Sequence, residues 1–93
     1  MRIRLRNILE MGEYYSELAS VLQERLEVIS DQVLRKSNPE AQLQRLRALS
    51  EQIDRLKERL PADADPMLKH FLDRMSLSKA LEFIRNRYLE ANN

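Results

Sequence analysis

The sequence predicts an all-α fold: a long antiparallel helical hairpin followed by one broken or two short C-terminal helices, a three- to four-helix bundle. Three observations carry this. Apolar residues recur three and four positions apart along most of the chain, the period of an amphipathic helix. One glycine and three prolines among 93 residues leave too few sharp turns for a β-sandwich or a nucleotide-binding α/β fold. The prolines, moreover, stand where helices begin or stop. At this length one domain, residues 1–93, is the expectation, and its margin of stability is thin because small domains bury a smaller share of their surface.

The first helix is expected from about Arg6 to Lys36. Ile8, Met11, Tyr15, Leu18, Leu22, Ile29 and Val33 form one stripe, with Leu26 filling the gap between Leu22 and Ile29. A second line, offset by two residues or about 200°, reads Glu10, Glu13, Glu17, Glu24, Glu27 and Asp31 and lies roughly opposite. Gly12 sits inside the helical pattern, where glycine costs about 1 kcal/mol relative to alanine. It reads as a kink or as a place of close backbone approach.

The turn at Lys36-Ser37-Asn38-Pro39 has a mechanism. Proline disfavours helix in the residue before it and is well placed in the first turn of the helix that follows. Ser37 and Asn38 are rival N-caps, and Ser37 to Glu40 also matches a capping box. A short connection makes the two helices antiparallel neighbours. The second helix, about residues 39–60, carries a coiled-coil seam of Leu46, Leu49, Ile53, Leu56 and Leu60, extended towards the turn by Leu43. Pro61 stops it, and Asp65 with Pro66 reads as the N-cap and first residue of the next helix.

The C-terminal segment, about residues 66–91, contains a conflict of phase. Leu68, Phe71, Leu72 and Met75 share one face, whereas Leu77, Leu81, Ile84 and Tyr88 share another about half a turn away. A break near residue 76, with Ser76 as N-cap of a final helix, resolves it; a straight helix clamped between two partners is the rival. The tail from Glu90 to Asn93 is expected to fray.

Charge narrows function without naming one. Sixteen Lys and Arg face fifteen Asp and Glu, so bulk electrostatics do not favour nucleic acid or an anionic membrane. Arg45, Arg47, Arg55, Lys57 and Arg59 of the second helix are interspersed with acids and suit pairing with helix-one acids across the hairpin, where exposed pairs contribute about 0–1 kcal/mol each. Arg2, Arg4 and Arg6 alternate with Ile3 and Leu5. Cations at a helix N-terminus oppose the macrodipole, so this segment reads as a non-helical arm for phosphate, anionic lipid or an acidic partner, or as a terminus tucked against the bundle. No secretory leader, cysteine or membrane-spanning run is seen, and a cytoplasmic setting is the expectation. No cofactor or metal is expected: His70 is the only histidine and there is no phosphate-binding glycine loop.

The leading expectation is therefore a non-enzymatic helical protein–protein interaction module: an adaptor, small chaperone or assembly subunit, or a homodimer. Tyr14, read as exposed beside a core Tyr15, is one interface candidate. Leu77, Leu81, Ile84 and Tyr88 are the others, since two apolar faces pointing apart would call for a second chain. A basic-arm nucleic-acid or membrane binder is a further alternative.

An enzymatic alternative rests on the segment from Leu22 to Ile29. It resembles the first helix of all-helical chorismate mutases, which are also small. The resemblance implies that Arg25 and Lys36 would hold substrate carboxylates, as bidentate recognition favours. It covers one helix. The family's further upstream arginine would fall near Ile8, and its acidic-plus-arginine motif is missing from Glu40 to Leu49.

Overall fold

The structure, a computed structural model, describes the backbone of residues 2–89 and the side chains of residues 12–89. Among the described residues there is no strand; five α-helices follow one another: α1 (Arg2–Ser30), α2 (Gln32–Ser37), α3 (Pro39–Glu58), α4 (Pro66–Asp73) and α5 (Leu77–Ile84), the last running into a π-helical turn, Arg85–Leu89. No helix among these residues is long and apolar enough to cross a membrane.

The expected first helix is divided. α1 begins at Arg2, before the expected start near Arg6, so the Arg2–Arg6 segment is helical. It ends at Ser30 because Asp31 leaves helical geometry and caps α2, its carboxylate accepting from the Leu34 N–H at 2.9 Å. An aspartate side chain that bonds the backbone ahead of it competes with continuation of the helix. The carbonyls freed at the break find donors: Arg35 Nη2 donates to Ile29 O at 2.8 Å, and Gln42 Nε2 to Val28 O at 2.9 Å. Gln42 is accordingly the one buried polar residue among those described.

The hairpin turn selects between its two caps. Asn38 Oδ1 accepts from Ala41 N at 3.1 Å, while Ser37 remains the last residue of α2. Pro39 occupies the first turn of α3. Asp65 caps α4 from Pro66 in the same manner, its Oδ1 accepting from Met67 N at 2.9 Å. The expected seam of α3 packs inward: Leu49, Ile53 and Leu56 are buried, with Leu46 and Leu60 half-buried beside them. Cross-hairpin bonds from Glu24 to Arg45, Val28 to Gln42 and Arg25 to Ser50 set the antiparallel register.

The phase conflict is resolved by a turn. α4 ends in a paired C-terminal motif, Ser76 N donating to Phe71 O at 2.9 Å and Met75 N to Leu72 O at 3.1 Å. That motif places its central residue in left-handed geometry, and Met75 adopts it with φ 57°. Ser76 heads α5 as expected, but its side chain makes no capping bond. After the turn both apolar faces look inward. Leu68 and Leu72 of α4 and Leu77, Ala80, Leu81 and Ile84 of α5 are buried against Tyr15, Leu18 and Leu22 of α1 and Ile53 of α3. Met75, expected among the α4 apolar cluster, is instead exposed at the turn.

The molecule is elongated, 53 × 24 × 20 Å, as the 29 residues of α1 alone run about 44 Å. α5 lies antiparallel to α1: Arg85 Nη2 donates to Gln23 Oε1 at 2.7 Å, and Tyr88 stacks on Tyr15 further towards the N-terminus. The start of α5 therefore faces the Leu26 turn of α1. Beyond that level the hairpin continues as a two-layer arm formed by the end of α1, α2 and the first half of α3.

A candidate interaction surface on the hairpin arm

Three of the five exposed large apolar side chains among the described residues lie on the arm. Val33 is 77% exposed, Leu43 57% and Ile29 39%. This corrects the expected first stripe, which placed Ile29 and Val33 in the core. Val28, which is buried, continues at seven-residue spacing the buried line of Tyr14 and Val21, whereas Ile29 stands about 100° further round, on the line of Leu22 and beyond the level at which α5 begins. The break at Asp31 then turns Val33 outward. By the hairpin register Ile29 lies level with Leu43. The remaining exposed large apolar residues among those described, Met67 and Met75, bracket α4.

Leu43 and Leu46 floor an open groove of about 350 Å³ whose rim is Arg25, Arg47, Ser50, Glu51 and Asp54. The Arg25 Nε donates to Ser50 Oγ at 3.0 Å. Two cations and two anions on one rim leave no net field to concentrate an anion, and Lys36, on the far side of the Asp31 break, does not line it. The structure thus does not bring Arg25 and Lys36 together around one pocket. Elsewhere on the arm Arg45 pairs with Glu24 at 2.8 Å, the one expected cross-hairpin pair found among the described residues. Lys57 pairs instead with Asp73 of α4 at 3.0 Å. The acidic line through Glu13, Glu17, Glu24 and Glu27 is exposed.

Of the interface candidates on the body, Tyr14, Leu77, Leu81 and Ile84 are core residues and Tyr88 packs partly buried against the core. Tyr14 is buried, and its hydroxyl donates to Leu56 O at 2.6 Å. It points at α3 rather than outward because α1 packs on two sides, bonded to α3 through Tyr14 and Val28 and meeting α5 and the π-helical turn through Gln23 and Tyr15. Burial pushes the Tyr14 hydroxyl up to about 12 from its ordinary 10.0. Leu77, Leu81 and Ile84 are likewise buried, covered by their own chain once the Met75 turn has redirected them.

Tyr88 is half-buried, its ring 3.8 Å from that of Tyr15 and nearly parallel to it, and its Oη accepts from Asp65 N at 3.1 Å. It thereby ties the π-helical turn both to α1 and to the cap of α4. Arg87 lies over the Phe83 ring and pairs with Asp65. Tyr15 keeps a buried hydroxyl without a partner among the described residues, and burial raises its pKa. The side chains of Arg2, Arg4 and Arg6 lie outside the described residues. His70 is exposed on α4, and no group of three metal-ligating side chains gathers among the described residues.

Sequence reasoning missed the arm because it read the whole stripe as one inward face. The signal available was Asp31, a poor mid-helix residue with an amide three positions ahead to cap. Comparison with protein-family models, curated proteins and solved structures found no match to this chain.

Proposed function

We propose that this chain is a non-enzymatic helical protein–protein interaction module, an adaptor, small chaperone or assembly subunit, and that its contact surface is the hairpin arm. The observation that supports the reading is the uneven distribution of uncovered apolar surface. The body buries Leu68, Leu72, Leu77, Leu81 and Ile84 of its C-terminal helices within the chain, whereas Ile29, Val33 and Leu43 of the arm are each exposed. Helices that leave an apolar stripe at i, i+3 and i+4 positions dock other helices through it, and a rim of mixed charge adds specificity more than affinity.

Photo-crosslinking tests it. A photoreactive residue at Val33 or at Leu43 of the full chain should yield a discrete protein adduct in cells, and one at the exposed Ser20 of the body should not. Equal labelling from all three positions, or none from the arm, would overturn the reading.

A further inference from the structure

We infer that the partner seated on the arm is a second copy of this chain, joined by antiparallel pairing of the two α3 helices about Leu43. The inference rests on the interaction-module reading and adds the identity and register of the partner. It comes from a charge pattern. Glu40, Leu43 and Arg47 follow at i, i+3 and i+7, so they share one face of α3. All three are exposed, and neither charged residue is in an ion pair among the described residues.

The stripe is self-complementary. Two antiparallel copies related by a twofold axis midway between residues 40 and 47 bring Glu40 against the second copy's Arg47, and Arg47 against its Glu40. The same axis lays Leu43 beside the second copy's Leu43. An isologous contact requires this relation, in which residue i meets j and j meets i. A parallel pairing would set like charges together.

The geometry of the chain permits it. The body uses α3 from Leu49 onward, and an antiparallel overlap of residues 38–49 sets the two bodies at opposite ends. Twelve residues of overlap span about 18 Å, which places the contact at the small end of specific interfaces. The dimer is therefore dissociable, and Ile29 widens its apolar centre.

Sedimentation equilibrium of the full chain tests the proposal. The weight-average mass should rise from 11.1 kDa towards twice that value between about 10 μM and 1 mM, the range in which weak complexes form. Arg47→Glu and Glu40→Arg should each weaken association about tenfold or more by setting like charges together. The double variant, with the charges exchanged, should return to within about threefold of the parent. Circular dichroism checks that each variant keeps its helices. If either single variant loses them, Arg47→Gln and Glu40→Gln, whose side chains keep helix propensity, replace it and should each weaken the dimer.

A mass that stays at 11.1 kDa to about 1 mM overturns the proposal. So does a dimer indifferent to Arg47→Glu, or one that the double exchange fails to restore. An arm crosslink to a different protein from a chain that stays monomeric also overturns the self-association, while leaving the interaction reading intact.

Discussion

The body and the arm of this molecule share two helices but dispose of their apolar residues differently. In the body, α1 meets α3 on one side and α5 on another, and Leu18, Leu22, Ile53, Leu68, Leu72 and Ile84 are fully buried. In the arm the same helices meet only each other. Val28 and the buried amide of Gln42 hold the contact, while Val33 and Leu43 lie in water. A two-helix layer can bury one stripe per helix; a third helix is needed to cover the next stripe. The arm thus keeps its shape through caps and hydrogen bonds at Asp31, Arg35, Asn38 and Gln42, and the body keeps its shape through packing.

The strongest way to break this comparison is to remove methylene groups from each region. Leu72→Ala in the body should cost about 2–5 kcal/mol, since it leaves a cavity in close-packed surroundings. Val33→Ala in the arm should stay within about 0.5 kcal/mol. Urea denaturation at low protein concentration reads both; similar losses would mean that the arm is packed as the body is.

The division was legible in the sequence up to the level at which helices begin and end. Asn38 with Pro39, Asp65 with Pro66, and the α3 seam all behave as their chemistry dictates, because caps and prolines act within a few residues of themselves. The break between α4 and α5 was legible as well, since two apolar faces half a turn apart cannot both be buried by one straight helix. Which face each residue would present was harder. The sequence pattern points Tyr14 outward, because a single stripe through Tyr15 accounts for one inward face; a helix gripped from two sides has a wider one, and only tertiary packing shows that. The candidate surface at Leu77, Leu81 and Ile84 failed for a related reason. The Met75 turn brings those residues over α1, so no second chain is needed to cover them. The π-helical turn that seats Tyr88 had no local signal.

A second test sharpens the role of Tyr14, which links α1 to α3 where the body begins. The folded state holds the hydroxyl proton up to about pH 12, while an unfolded chain releases it near 10. Between those values the folded state binds more protons, so stability falls as pH rises and is fully retained below pH 10. The contribution lost across that window is on the order of 3 kcal/mol. Tyr14→Phe should remove this part of the alkaline decline. At neutral pH it should cost about 0.5–1.5 kcal/mol, the ordinary value of one hydrogen bond, because Leu56 O still accepts from Arg59 N. Denaturation midpoints measured from pH 8 to 12 compare the two chains.

Gln42 carries the corresponding link in the arm. Gln42→Leu should cost about 1–2 kcal/mol, since its Nε2 bonds Val28 O and Asp31 O are lost. The loss should be local: amide exchange should quicken across α2 before it quickens in α5. Uniform quickening would show that arm and body unfold as one unit.

A gain rather than a loss is expected at the turn that completes the body. Met75 holds left-handed geometry, φ 57°, at the position where helix C-terminal motifs favour glycine. A side chain there meets the following carbonyl, a strain of about 1–2 kcal/mol, which glycine lacks. Glycine gives back part of that gain by loosening the unfolded chain. Met75 is 47% exposed, so removing its side chain sacrifices little burial. Met75→Gly should therefore stabilise the chain by about 0.5–1 kcal/mol, read as a higher urea midpoint with unchanged slope. A loss of stability would mean that the methionine side chain contributes packing to the turn, and that the two C-terminal helices are held apart by contact as well as by backbone geometry.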